Sequence, residues 1–474
     1  MQEDAFQRGE PLMSILERLD SGQIRSRDLV ETALRRIEDP DGQGPVAYCQ
    51  VYRERAAWAA RQCDQLRAKG ESLALTGIPL SVKDLFDLIG EVTLAGSVVL
   101  KDQEPAASFA PAVERLLSHQ AILMGRTNMT EFAYSGLGLN PHYGTPLSPW
   151  RRHERRIAGG STSGGAVSVA EGMAVAALGT DTGGSVRIPA AFCGLAGFKS
   201  TSRRIPREGV FPLSRTLDSI GVIAPTVQCC RYLDRVLSLA WPQEQDKPRG
   251  RWFEDAEERQ ITPGRGASML KDLRVGVPQS YVLDDLDPEI EHAFGRALDQ
   301  LGHAGVRVDE VPIEMLMEIP EHYEQGGLLA IEAYALHRRL LDQQREKYDP
   351  RVAVRMEGGR GRLASEYLDL LDKRRDFIRA FEACCREYDL LAWPTVALLP
   401  PRLDKLQDDD EAYFSTNVRV LRNTAVTNFL DRPSLSIPLK GRRDAPIGFM
   451  VSAPSMQDRR LLDLGCALEP ILRK

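Results

Sequence analysis

Gly159–Lys199 reads GGSTSGGAVSVAEGMAVAALGTDTGGSVRIPAAFCGLAGFK, and its punctuation decides the fold. Two glycine-flanked serines, Ser161 and Ser185, frame it. Ser161 or Thr162 is placed to cap a short helix of small residues running to Gly172, because a hydroxyl there satisfies a free backbone N–H. Gly172 stops that helix, and Met173–Leu178 is an apolar run with the length and flanks of a buried strand. The strand empties into Thr180–Arg187, a turn of Thr, Asp and Gly, and Pro189 opens the next helix at no cost in hydrogen bonds. A serine on a tight glycine turn after a buried strand is how an α/β protein exposes a nucleophile.

Glycine-rich loops before helices also bind phosphate through backbone N–H groups. Gly194–Ser200 (GLAGFKS) is no phosphate loop, however, since Phe198 separates Gly197 from Lys199. The dinucleotide fingerprint is absent from the stretch. So is a G-x-S-x-G elbow: Ser163 and Arg187 stand where its last glycine would follow Ser161 and Ser185. Two serine loops, with a candidate base upstream, favour nucleophilic chemistry over glycines that merely permit close packing.

GGSTSGG followed by GTDTGGSVRIPAAFCGLAGFK resembles the signature of the amidase signature family. Upstream, GIPLSVKD (Gly77–Asp84) is similar to the family's lysine motif, and GRTNMTEFAYSG (Gly125–Gly136) to its next block. RPSLSIPL (Arg432–Leu439) and Pro446–Glu469 resemble its closing segment, while the middle third is the least similar. The resemblance implies an α/β fold: a single large domain with a mixed β-sheet sandwiched between α-helices. Within an amidase domain over 1–474, residues 1–70 form a helical N-terminal part and 77–225 the catalytic signature core. Residues 242–272, rich in Pro, Gly and charge, read as a surface excursion or linker, and 273–474 complete the sheet and pocket.

Composition sets outer bounds. Hydrophobic content of 43% and charged content of 27% are those of a soluble globular protein. A net charge of −6 argues against a nucleic-acid backbone as partner. No apolar stretch has the length of a membrane span, and MQEDAFQRGEPL lacks the basic start and apolar core of a signal peptide. Eight cysteines, two pairs of them adjacent (Cys229–Cys230 and Cys384–Cys385), fit neither a CxxC motif nor zinc spacing. The expectation is a cytoplasmic protein with reduced thiols, no metal and no cofactor, a possible homodimer, acting on a small molecule.

Apolar stripes at Leu12, Ile15, Leu16, Leu19 and at Leu29, Val30, Ala33, Leu34, Ile37 predict two helices, the second capped by Ser26. A third spans Arg53–Lys69. Leu80–Val82 reads as a strand carrying Lys83 at its end; the bland alternative is a surface lysine paired with Asp84. Ile122–Thr127 and Leu273–Pro278 are further strands, and Pro288–Arg345 is largely helical. The acidic run Asp408–Glu411 reads as a loop. Asn423 and Asn428, in Leu421–Asp431, are candidates either for substrate contact or for capping.

The resemblance assigns roles residue by residue. Lys83 takes the position of the catalytic lysine, Ser161 that of the relaying serine on a cis peptide, and Ser185 that of the nucleophile. A lysine base must be neutral, and lowering its pKa from roughly 10.4 to about 7 by burial costs on the order of 4–5 kcal/mol. Backbone amides of Thr182, Gly183 and Gly184, with that of Ser185, would form the oxyanion hole. Ala133, Tyr134 and Gly136 would line the acyl pocket, although Tyr134 is equally suited to the core. The activity implied is hydrolysis of a carboxylic amide to an acid plus ammonia or amine. Two alternatives stand beside it. One is the glutamine-hydrolysing component of a tRNA-dependent amidotransferase, whose GSSTENS-like block is replaced here by YSGLGLNPHYG. The other is an amidase of biuret or allophanate type. None of the seven histidines falls in the glycine-rich blocks, so a Ser–His–Asp arrangement has less support than Lys83.

Overall fold

The computed structural model describes residues 4–238, 268–323, 326–439 and 444–473. Strands form where short runs of branched and small apolar residues lie between turns: β1 (Tyr48–Val51), β2 (Pro79–Lys83), β3 (Ile122–Thr127), β4 (Ala176–Asp181), β5 (Ala196–Lys199) and β6 (Ser219–Ala224). The C-terminal half adds β7 (Arg274–Pro278), β8 (Arg307–Val311), β9 (Leu390–Pro394), β10 (Ser434–Pro438) and β11 (Gly448–Ser452). They make one mixed sheet in the order β1-β3-β2-β4-β6-β5-β10-β11-β9-β7-β8. Every residue of β2 through β6 and of β9 through β11 is buried. Strands buried along their whole length need cover on both faces, which the helices supply. The fold is the expected α/β one, a large mixed sheet between helices.

The three expected N-terminal helices form at Leu12–Asp20, Ser26–Ile37 and Arg53–Ala68. Ser26 is the first helical residue and not its cap; Arg25 takes that place, and its amide is satisfied by Asp28. β1 follows in the stretch read as helical, because Tyr48–Val51 can pair antiparallel with β3. Pro288–Arg345 is likewise interrupted. After the helix Pro288–His303, β8 pairs parallel with β7 through Arg307–Val311, a half-exposed edge strand whose charges hide its pattern. The acidic run is not a loop. Asp409 caps the helix Asp410–Phe429 by accepting from the Ala412 amide, and Asp410 and Glu411 sit in its first turn, where negative charge is favoured. The expected excursion at 242–272 lies, up to residue 267, outside the described residues.

β3, β2 and β4 run parallel to one another. Their carboxyl ends therefore open on the same edge, the place where α/β sheets hold ligands. Lys83 ends β2, Thr127 ends β3 and Asp181 ends β4.

Candidate active site

Lys83 is fully buried at the end of β2. Its Nζ donates to Ser161 Oγ at 2.8 Å, to Thr180 Oγ1 at 3.1 Å and to the Thr180 carbonyl at 3.4 Å. Burial lowers its pKa to about 7, against the opposing pull of the Asp181 and Asp218 carboxylates. The neighbouring Asp84 is not its partner. That carboxylate faces Arg126 at 3.4 Å and accepts from the Gly96 amide at 3.0 Å, and burial pushes its pKa up to about 6. The Lys–Asp dipeptide is thus split across two networks, Lys83 ending β2 on the Ser161 side and Asp84, in the turn after it, on the Arg126 side.

Ser161 stands on a cis Gly160–Ser161 peptide, as the resemblance implies. Three backbone bonds pin its loop: Thr130 N donates to Ser161 O at 3.1 Å, Gly160 N to Gly136 O at 2.8 Å, and Thr162 N to Ser185 O at 3.1 Å. The last brings the two serine loops into direct contact. The helix that follows is Ser163–Ala170, and among the described residues no side chain caps it and Thr162 Oγ1 is buried without a partner. The next strand begins at Ala176 rather than Met173, since the chain needs Gly172–Val175 to turn back onto the sheet.

Ser185 occupies the turn between β4 and the short helix Arg187–Phe192. Asp181 organises that turn. Its Oδ1 accepts from the Gly184 amide at 2.9 Å, and its Oδ2 accepts from the Val186 amide at 3.1 Å and from Arg187 Nε at 3.0 Å. Arg187 is fully buried against it with an ion pair of 2.8 Å, which holds Asp181 well below the usual carboxylate range. Thr182 Oγ1 donates to Asp218 Oδ1 at 2.6 Å, and Thr424 Oγ1 donates to the Gly183 carbonyl at 2.6 Å. Ser185 itself is 3% exposed, and its hydroxyl has no protein partner among the described residues.

The amides expected to face an oxyanion differ in whether they are already bonded. The Gly184 N–H is committed to Asp181, so it is not free for a ligand. The amides of Thr182, Gly183 and Ser185 have no acceptor among the described residues and remain available. Ala133 (φ +60°), Tyr134 and Gly136 lie on the loop that the Gly136–Gly160 bond ties to Ser161. Tyr134 is buried, and Arg355 stacks 4.2 Å from its ring centre and donates to its carbonyl. Gly136 is close enough to Leu421 and Ile188 that a Cβ would meet both within about 3.2 Å.

Several residues essential to this arrangement are not singled out by sequence: Thr180, Asp181, Arg187, Thr424 and Thr427. Asp181 and Arg187 lie within the signature, where a charged pair among glycines and apolar residues is the available signal. Asn428 neither caps nor faces solvent: its Nδ2 donates to Asp181 Oδ1 at 3.0 Å and its Oδ1 accepts from Arg187. Asn423 donates to the Val282 and Pro394 carbonyls and is structural. His142 bonds Glu131, and His337 packs on Phe132 and Tyr348. No histidine bonds either serine among the described residues. Nor do those residues contain a group of three or more His, Cys, Asp or Glu side chains that could hold a metal ion. No described helix is long and apolar enough to cross a membrane.

The family model described as Amidase matches residues 28–462. The chain is 35% identical to 2-amino-5-chloromuconic acid deaminase of Comamonas testosteroni, over 88% of this chain and 87% of that protein. It is 31% identical to the A component of the glutamyl-tRNA(Gln) amidotransferase of Chromohalobacter salexigens, over 94% and 93%. Among solved structures, one described as the crystal structure of amidase superposes with a TM-score of 0.82 at 29% identity, covering 97% of this chain and 99% of that one. The chain belongs to the amidase (amidase signature) family of hydrolases acting on amide C–N bonds.

Proposed function

We propose that this amidase cleaves a small carboxylic amide through an acyl-enzyme on Ser185, with Lys83 and Ser161 as a two-step proton relay. The observation that carries the reading is the 2.8 Å contact between Lys83 Nζ and Ser161 Oγ, made by a lysine out of reach of water. With a pKa of about 7 a large fraction of that amine is uncharged near neutrality, and in that form the contact can run as Ser161 donating to Lys83. Ser161 then takes a proton from Ser185, whose loop it touches through Thr162 N and Ser185 O. Serine at its free pKa is a poor nucleophile, and this relay activates it. Ser185 Oγ attacks the amide carbon, and the open amides in the Thr182–Ser185 turn donate to the developing oxyanion. Each such donor is worth about 3–4 kcal/mol of barrier. Ser161 returns its proton to the leaving nitrogen, and water releases the acid. Ser185→Ala should abolish turnover and covalent labelling by a fluorophosphonate while the fold persists. Turnover near the parent rate in that variant would sink the assignment.

A glutamine-hydrolysing role in a larger assembly is the second reading, favoured by identity of 29–32% to the A components of such amidotransferases over 94–98% of the chain. A strict requirement for glutamine, with co-purification of a partner, would select it. Ammonia release from aliphatic, aryl, malonyl or urea-type amides by the isolated chain would select the first.

A further inference from the structure

A saturated amine nitrogen carries its carbon and has three further tetrahedral directions for hydrogens or a lone pair. At Lys83 the Nζ meets Ser161 Oγ at 2.8 Å, Thr180 Oγ1 at 3.1 Å and the Thr180 carbonyl at 3.4 Å. Thr180 thus supplies two of those three oxygens. It stands there because β4 is the parallel neighbour of β2, which puts Thr180 beside the end of the strand that carries Lys83. No carboxylate lies within ion-pair distance of Nζ among the described residues: Asp181 is bound by Arg187 and Asp218 by Thr182.

Hydrogen counting then limits what the lysine does in each state. As an ammonium it has three protons and donates to all three oxygens. As a free amine it has two protons and one lone pair. The Thr180 carbonyl has no proton to give, so it always takes one from Nζ. The lone pair is left to accept from one hydroxyl, that of Ser161 or that of Thr180. Only the first arrangement feeds the relay proposed above, on which this inference rests. Two observations select it. The Ser161 contact is the shorter, and Ser161 is fully buried with Nζ its hydroxyl's one partner among the described residues. Thr180 instead lines a cavity of about 690 Å³ that reaches the exposed residues Glu208 and Arg215, so solvent is at hand for its O–H.

We infer that Thr180 is a positioning residue for the relay: by accepting both protons of the neutral amine, through Oγ1 and its carbonyl, it turns the Lys83 lone pair toward Ser161. Thr180 acts through Lys83 alone. When the wire runs, the Ser161 proton moves to Nζ and becomes a third N–H that donates back to Ser161. The two N–H bonds to Thr180 stay in place throughout, and the same proton returns when Ser161 is restored, with no redox change and no other reactant.

The readout is the rate at which a fluorophosphonate labels Ser185, followed on both sides of the Lys83 midpoint of about 7. Thr180→Val removes the hydroxyl and keeps the branched shape. It should slow labelling on the high-pH plateau about tenfold, the scale of one lost hydrogen bond. It should also move the acid limb about one pH unit downward. The sign follows because the ammonium loses a charge-assisted bond and the amine only a weaker neutral one, which disfavours the charged form. Asp181 and Asp218, the carboxylates that pull the other way, are untouched. Thr180→Ser keeps the hydroxyl and should retain the parent plateau and the parent limb. A merely structural defect lowers the labelling equally at every pH and leaves the limb in place. A parent plateau in Thr180→Val overturns the inference, and so does a lower plateau with an unmoved limb. Lys83→Met separates the two levels. If it stops labelling while Thr180→Val labels like the parent, the relay stands and Thr180 has no part in aiming it. If Ser185 does not label in the parent, or labels as fast in Lys83→Met, the relay and this inference fall together.

Discussion

Arg187 and Asp181 form an ion pair of 2.8 Å with both side chains fully buried, and the amides of Gly184 and Val186 close on the same carboxylate. The pair holds the turn that presents Ser185 and is extended across the chain by Thr427, Asn428 and the Thr424 carbonyl, all of which bond Arg187. Removing one partner leaves a buried charge alone, which costs about 3–5 kcal/mol. Arg187→Met should therefore lower the denaturant midpoint strongly at unchanged slope. Asp181→Asn leaves the Arg187 guanidinium, which cannot shed its charge, buried without a counter-ion, so it should cost at least as much stability and also impair kcat. A midpoint for Arg187→Met equal to that of the parent would mean that the pair contributes nothing to folding.

The proposed relay requires neutral Lys83, and burial brings its pKa to about 7. kcat/KM should rise with pH through a midpoint near that value and then level off, since the rate follows the fraction of free enzyme with the base unprotonated. Asp218 is one of the two carboxylates that favour the charged form of Lys83, the other being Asp181. Asp218→Asn removes that pull while an amide oxygen still accepts from Thr182. Its acid limb should move to lower pH, an effect that loss of packing alone would not produce. A limb that stays in place separates Asp218 from the relay.

Lys83 also links stability to pH. Its pKa falls from 10.5 unfolded to about 7 folded, so between those values the unfolded chain binds the extra proton and stability rises with pH. Below about 7 the full cost is present, on the order of 5 kcal/mol; above 10.5 it is gone. Lys83→Met removes this cost but leaves the Ser161 and Thr180 hydroxyls without their partner, a loss of about 1–3 kcal/mol. The variant should be inactive and more stable than the parent at about pH 7, with the advantage shrinking and reversing near pH 10.5. Thermal melts of both proteins across that range decide it; a constant difference would mean that the lysine is not buried in its charged-disfavoured state.

The candidate catalytic positions are legible because each lies in a short local pattern: a lysine ending an apolar strand, and two serines on glycine loops. What sequence does not supply is the bracing of those loops by distant segments. Thr424 and Asn428 reach the Ser185 turn from a helix more than two hundred residues away; nothing in its pattern marks Thr424, and Asn428 reads as a substrate contact or a cap rather than as a partner of Asp181. Glycines flanking Ser185 suggest three accessible amides ahead of it, but only the folded turn shows that Asp181 claims the one at Gly184. Asp409 misleads for a related reason, since a run of acids is equally a solvated loop or a helix start. β8 escapes because an edge strand with Arg, Asp and Glu carries no apolar alternation.

Gly184 offers a final test of how tightly the Ser185 turn is built. Its φ is +135°, a region that residues with side chains rarely adopt. A Cβ there would lie 2.1 Å from Thr424 Oγ1, 2.5 Å from Ile188 Cδ1 and 2.7 Å from Thr424 Cβ. Gly184→Ala must therefore distort the turn, adding backbone strain of about 1–3 kcal/mol to the steric conflict. If the open amides of Gly183 and Ser185 hold the oxyanion as proposed, displacing them should lower kcat by about a hundredfold or more. Trimming the neighbour does not cure this: in Gly184→Ala/Thr424→Ala the contact with Cβ of residue 424 and the positive φ both remain, and the Gly183 carbonyl loses its donor. The double variant should be no more active than Gly184→Ala alone. Recovery of kcat toward the parent value would show that only the Thr424 hydroxyl stood in the way, and that the backbone geometry at Gly184 is not required.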